Sequence, residues 1–363
     1  MDVFSTQALN RVVEELPLNP AFLLNMFFPG VETSDTETIM FDHVTGTRRL
    51  SPFVAHNVEG QVVDEVGFET AAFKPAYIKD KRVFDPGKQF KRRAGEKIGG
   101  SLTPDQRLNA SIAWHLVDQL DMWKRRREVM AGEVLSTGKL TIVGEKYPRK
   151  IVDFKRDPRL TFALTGSDVW NTTGLDPFDA IERYAELLWS ISFTRPTDAI
   201  MTPDVWGVIR RKISEKNAAN SMPTAAATMM MQRLDTDSRT VNDITLKLGA
   251  LVVGGEGAAL VGVLDTGNGH KIRLWVYNDS YNHPETGAET PILAPGTFLL
   301  GSTSLDGVQH FGAIKDLKAG LQARPYFVKS WEEEDPSVRY ILGQSAPLLV
   351  PYRKNAFLSA KVI

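Results

Sequence analysis

Between Thr103 and Thr137 the apolar positions Leu108, Ile112, Leu116, Leu120, Trp123, Met130 and Val134 recur at intervals of three, four or seven residues. That is the period of one face of an α-helix. Thr103 stands where an N-cap belongs, Pro104 suits the first helical position, Gln106 completes a capping box, and Gly138 supplies the stop. The pattern predicts an unbroken helix over 103–137, roughly 50 Å long at about 1.5 Å per residue. Such a helix is longer than a small domain is wide, so it reads as a strut lying along an elongated body.

Around the strut the pattern changes repeatedly. A short amphipathic helix is predicted over Ser5 to Leu16. It is followed by the very apolar run Phe22, Leu23, Leu24, Met26, Phe27 and Phe28 between Pro20 and Pro29. That run is too short to be a core by itself and must be buried, either on its own subunit or on a neighbour. Val58 to Val66 and Phe73 to Phe84 have strand content with a turn predicted at Gly67 to Thr70, which reads as a long two-stranded ribbon. A second hairpin is predicted from Leu140–Val143 and Lys150–Phe154. From Asp176 the texture becomes α/β, with helix starts at Asp176-Pro177 and Thr202-Pro203 on either side of a strand at Thr197 to Met201. The Met-rich stretch Ala225 to Leu234 reads as adaptable core packing. Strands are predicted at Ala259–Leu264, Ile272–Tyr277, Thr297–Leu300 and Val308–Ile314. Strand texture returns over Arg324–Val350 and Phe357–Val362, interrupted by the acidic turn Glu332 to Asp335.

Composition narrows the function. The 363 residues carry a formal net charge of −1 and 42% hydrophobic residues, enough for a packed core and unlike a dedicated nucleic-acid or membrane-surface binder. No cysteine is present, which removes disulfides and thiolate metal sites. No leader-like or membrane-spanning apolar run is visible, so a soluble, cytoplasmic protein is expected. The ribbon is the local exception. Lys74, Lys79, Lys81, Arg82, Lys88, Lys91, Arg92 and Arg93 face only Asp80 and Asp85, a local net of +6. With Phe73, Tyr77, Phe84 and Phe90 interleaved, the ribbon could hold single-stranded nucleic acid, stand as a solvated hairpin, or dock across an acidic surface of another copy.

Candidate chemistry is sparse. His43, His56, His115, His270, His283 and His310 show no metal-site spacing, and His115 on the strut reads as packed or solvated. The loop at Gly254 to Leu260 lacks the lysine and hydroxyl of a phosphate loop and the spacing of a dinucleotide fingerprint. No nucleophile elbow occurs. No catalytic, cofactor-binding or metal-ligating residue is expected, and no enzyme.

The segments NPAFLLNMFF, FKPAYIKDKRVFDPG, DPFDAIERYA, PDVWGVIR and GQSAPLLV, in that order from end to end, resemble the major capsid protein E family of lambda-like tailed bacteriophages. The resemblance implies an α+β chain with the tailed-phage major capsid fold. In it an N-terminal arm covers 1–50, an extended β-hairpin loop 51–100, and a peripheral domain 101–157 with its spine helix at 103–137. An α/β axial domain covers 158–320, and C-terminal strands over 321–363 return to the peripheral and axial sheets. It further implies self-assembly into hexamers and pentamers of an icosahedral shell enclosing double-stranded DNA without sequence specificity. The shell would be assembled in the host bacterial cytoplasm and end as the virion capsid. A scaffolding protein, a portal at one vertex and a decoration protein would be partners, with no membrane and no cofactor. The subunit-interface residues expected are Phe22, Phe27 and Phe28 of the arm and Phe73, Lys74, Tyr77, Lys79, Lys81, Arg82, Arg92 and Arg93 of the ribbon. The alternatives are a nanocompartment shell protein of the same fold and a nucleic-acid-binding protein using the basic hairpin.

Overall fold

The computed structural model describes residues 5–15, 21–36, 38–44, 50, 53, 59, 68–84, 103–144, 147–172, 176–219, 238–241, 244–247, 252–255, 257–265, 271–335 and 338–363. The N-terminal part forms α1 (Thr6–Glu15), α2 (Phe22–Phe27), β1 (Gly30–Ser34) and β2 (Ile39–Val44). Next come β3 (Phe68–Phe73), β4 (Ile78–Phe84), the long α3 (Pro104–Thr137), and the hairpin β5 (Lys139–Gly144) and β6 (Tyr147–Asp153). The α/β part comprises β7 (Thr161–Ala163), α4 (Pro177–Ser192), β8 (Asp198–Met201), α5 (Pro203–Ala219), β9 (Ser238–Val241), β10 (Ile244–Lys247) and β11 (Val252–Gly255). It continues with β12 (Ala258–Asp265), β13 (Lys271–Tyr277), β14 (Ser280–Asn282), β15 (Glu289–Pro291), β16 (Thr297–Gly301) and β17 (Gly307–Gly312). The chain closes with β18 (Phe327–Glu333), β19 (Val338–Ser345), β20 (Pro347–Pro351) and β21 (Phe357–Lys361).

The strut forms as predicted, for the reasons its sequence announces. Thr103 Oγ1 accepts from the Gln106 amide at 3.3 Å while Gln106 Oε1 accepts from the Thr103 amide at 3.0 Å. Gly138 ends the helix in the left-handed region at φ 69°, and a Cβ there would press on the Arg156 side chain. Arg156 completes the cap, its guanidinium donating 2.7 Å to the Leu135 carbonyl and 2.8 Å to that of Ser136. Burial lowers its pKa to about 10.

α3 is the common wall of two cores. Ile112, Leu116, Leu120 and Trp123 pack with Leu9 and Val13 of α1, Phe84 of β4, Val328 of β18 and Ile341 of β19. About two turns further on, Ala131, Val134 and Leu135 join Phe22, Phe27, Phe28, Phe154, Trp275 and Leu348. A third core fills the α/β part, where Phe178, Ile181 and Leu188 of α4 and Val205 and Ile209 of α5 cover Leu274, Phe298, Leu300 and Leu358.

Six sheets are present among the described residues. The largest has nine strands, in the order β7-β21-β16-β8-β13-β12-β10-β9, with β11 also paired to β12. The β13–β8 and β21–β7 pairs are parallel, whereas β16 runs antiparallel to β8 and β21. The final strand β21 thus returns across the chain to the α/β core. A three-stranded sheet β1-β17-β20 holds the arm in parallel register on β17, and a second, β18-β19-β4, lies over the strut. Gly343 of β19 makes that approach possible, since a Cβ there would overlap Trp123 and Gln119 of α3.

The predicted ribbon is corrected by the structure. Phe73–Phe84 is two strands, broken at Lys74–Tyr77, and they do not pair with each other. β3 pairs with β2 and β4 with β19. Pro75, which lacks a ladder N–H, is buried against Gly312 at the break. Phe68–Thr70, predicted as a turn, lies inside β3. Apart from Glu59, the predicted partner strand Val58–Val66 lies outside the described residues, as do the Met-rich stretch, His56 and His270. The arm, in turn, contains two strands, β1 and β2, where the polar sequence offered no strand signal.

Candidate functional site

Two charged arrangements distinguish this molecule, one inside and one outside. The inner one fastens the arm to the strut. The first residues of α2 have no side-chain cap of their own, because Ala21 occupies the N-cap. Glu128 of α3 supplies it from 105 residues away, Oε1 accepting from the Leu23 amide at 2.8 Å and Oε2 from the Leu24 amide at 3.0 Å. Tyr277 of β13 donates to the same carboxylate at 3.0 Å. Burial raises the Glu128 pKa and the two amides and Tyr277 oppose the rise, while burial and the nearby carboxylates of Glu128 and Asp279 push Tyr277 upward.

Arg127, beside it, donates to Gln309 Oε1 at 2.7 Å and to the Tyr326 hydroxyl, and Gln309 in turn donates to the Phe28 carbonyl at 2.8 Å. One turn of the strut therefore holds both ends of the apolar arm run. Phe22, Phe27 and Phe28, expected at a subunit interface, are at most 3% exposed inside their own chain. They are core residues here, because α3, β13 and β21 already cover their rings; Phe22 stands 5.0 Å from Trp275 and Phe27 4.8 Å from Phe357.

The outer arrangement follows from strand alternation in β4, whose residues read in and out by turns. Arg82 points inward. Its Nη1 meets Asp118 of α3 at 2.7 Å and lies 3.2 Å from His115 Nδ1, so this cation is satisfied within the chain. Asp80, also inward, accepts from the Trp123 indole, and its backbone carbonyl accepts from Gln119 at 3.1 Å. Burial raises the Asp80 pKa against the pull of Trp123 and Arg82.

Lys79, Lys81 and Val83 point outward and are exposed. Register places Lys81 in a row with Leu342 and Lys329, and Val83 in a row with Tyr340 and Trp331. The Lys81 ammonium sits 3.7 Å from the Tyr340 ring centroid, and Tyr340 stacks on Trp331 at 5.4 Å. Beyond that row the exposed acidic run predicted as a turn divides, Glu332 and Glu333 ending β18 and Glu334 and Asp335 forming the turn. Lys329, on the same outer face as Lys81, has its own partner in Asp316, which also accepts from Gln344 at 3.0 Å.

The remaining ribbon residues are dispersed. Phe73 packs against the core that holds the arm, Tyr77 donates to the Ala313 carbonyl at 2.7 Å, and Lys74 is exposed near Lys315 and Lys150. Partial desolvation and those two neighbouring ammonium groups lower the Lys74 pKa. Arg92 and Arg93 lie outside the described residues. Among the described residues no group of three His, Cys, Asp or Glu is placed to hold a metal ion. Sequence reasoning passed over Arg127 and Glu128, yet one signal was present. The strut's apolar stripe jumps seven residues from Trp123 to Met130, and the position it skips, four after Trp123, is Arg127.

This layout, a strut shared by two cores with the arm strapped to it and the chain end returned to an α/β sheet, is the fold of tailed-phage capsid proteins. The crystal structure of the putative capsid protein of an Escherichia coli prophage is similar to it, with a TM-score of 0.68, 23% identity and coverage of 99% of both chains. The chain belongs to the phage major capsid protein E family, whose match spans residues 5–362. It is 28% identical over 375 residues to the major capsid protein of Enterobacteria phage P21 and 24% identical over 371 residues to that of Escherichia phage lambda, in each case over the full length of both chains.

Proposed function

We propose that this protein is the shell subunit of a tailed-phage head, joining copies of itself in hexamers and pentamers of an icosahedral capsid around double-stranded DNA. The observation that carries the reading is the reach of the family match. It runs over residues 5–362, from α1 through β21. The protein has a structural role rather than a catalytic one. A scaffolding protein, a portal at one vertex and a decoration protein are its further partners, and assembly takes place in the host bacterial cytoplasm. The peripheral domain of this reading comprises α3 with β18-β19-β4, and the axial domain α4, α5 and the nine-stranded sheet.

The interface residues retained are Lys74, Lys79 and Lys81, which face outward. Phe22, Phe27, Phe28 and Arg82 are engaged within their own chain. A near-neutral shell also suits packaged DNA, since every phosphate contact would add salt-dependent grip. The names of the relatives favour a phage head over a nanocompartment.

Negative-stain microscopy of the purified protein tests this. Uniform hollow particles are expected, whereas a solitary subunit under all assembly conditions, or one whose main property is steeply salt-dependent nucleic-acid binding, would replace it with the nucleic-acid reading.

A further inference from the structure

The outer face of the β18-β19-β4 sheet is graded along its length. At one end stand Lys79 and Lys81, in the middle the row Val83, Tyr340 and Trp331, and at the far end Glu333, the last residue of β18, and the turn residues Glu334 and Asp335. Val83 is 50% exposed and Trp331 37%. Glu332 is paired with Arg339 at 2.8 Å, and Glu333 approaches Tyr340, which leaves Glu334 and Asp335 as the outermost carboxylates of the tip. Lys81 lies opposite Leu342 and Lys329, five residues from Glu334 along β18. At about 3.3 Å per residue the two charge groups are roughly 17 Å apart. That exceeds a screening length of about 8–10 Å at physiological salt, so neither group neutralises the other within one sheet.

We infer that the acidic tip of one copy, Glu334 and Asp335, docks on Lys79 and Lys81 of a second copy. Repeated from one copy to the next, the contact runs head-to-tail and generates rings or extended arrays. The exposed apolar row lies beside the lysines, and the incoming tip covers Val83 as the charges meet. Desolvation at that row strengthens an attraction that bulk water would otherwise weaken. The inference rests on the shell reading for its choice of a second copy as occupant.

The test is a charge swap. Lys79→Glu/Lys81→Glu and Glu334→Lys/Asp335→Lys are expected each to leave the circular dichroism and thermal unfolding of the subunit unchanged. Each should cut particle yield in microscopy by about tenfold or more, because like charges now face each other. The quadruple variant, in which the signs are exchanged, is expected to recover most of the yield. Sedimentation velocity on the same four proteins separates the two readings. If the shell reading alone is wrong, the wild type makes no hollow particle yet self-associates in a manner that the doubles abolish and the quadruple restores. If the docking is wrong, either double assembles like the wild type, or the quadruple does no better than the doubles. A wild type that never self-associates overturns both.

Discussion

Glu128 is 2% exposed, a place where an ionised carboxylate is costly unless donors close around it. Three do: the amides of Leu23 and Leu24 and the Tyr277 hydroxyl, from the arm and from the large sheet. Glu128→Ala removes the acceptor and leaves the Leu23 and Leu24 amides buried without a partner, Tyr277 keeping only Asp279 at 3.5 Å, which should cost about 3 kcal/mol of subunit stability. The measurement is the denaturant midpoint of the unassembled subunit, and a midpoint matching wild type would show that the arm is not held there. His310 makes a second prediction at this scale. It is buried between Glu32, at 3.5 Å, and the Tyr352 hydroxyl, at 3.1 Å. Burial lowers its pKa although Glu32 pulls it up. The unfolded chain therefore binds the proton first, so this contribution is whole above the ordinary value of about 6.5 and is lost as pH falls through the depressed value. His310→Gln should flatten the fall in wild-type stability just below pH 6.5, followed by thermal unfolding across that range. Neither residue was legible as a site: Glu128 sits in the run KRRRE, which reads as a solvated helix face, and His310 in the predicted strand Val308–Ile314 with no metal-site spacing to mark it. Only the Arg127 break in the apolar stripe hinted that charges lay inside.

At the scale of the element the strut is where sequence and structure agree best, because its caps and its stripe are local signals. Leu116 lies on that stripe at 1% exposure, facing Ile341 and Val328 across the β18-β19-β4 sheet. Leu116→Asp buries an unpaired carboxylate between two elements and should cost about 4 kcal/mol, a large share of the roughly 5–15 kcal/mol that holds an ordinary subunit folded. Soluble expression and thermal unfolding report it, and a wild-type melting temperature would mean that the stripe is not buried. β4 carries the opposite lesson. Its content was read correctly as strand and basic, but a run of cations in a strand is two sets. Alternation turns Arg82 down onto Asp118 of the strut and Lys79 and Lys81 up to the surface. Which set faces in was fixed by pairing with β19, 255 or more residues away in the chain, and no local pattern specifies that register.

For the whole molecule, the arrangement explains why so nearly neutral a chain has such uneven charge. The segment from Lys74 to Arg93 carries +6 within a total of −1. The described part of that surplus is divided between internal pairing and the outer sheet face, while acid gathers at the β18–β19 tip. A shell built of identical copies gives each patch its counterpart without any gain in net charge, and the expected hollow particles are the outcome on which that account stands. The residues alone determined the strut and its caps, the helix starts at Pro177 and Pro203, the strand texture of the C-terminal third, and the family, because these depend on side-chain period, capping chemistry and the order of segments. The tertiary structure alone decided that the arm is strapped to Glu128 and Arg127, that the ribbon's described limbs pair with different sheets, and that only some of its cations face outward. Those outcomes turn on contacts between residues far apart in the chain, and free energy won by long-range burial and pairing leaves no periodic trace in any local window.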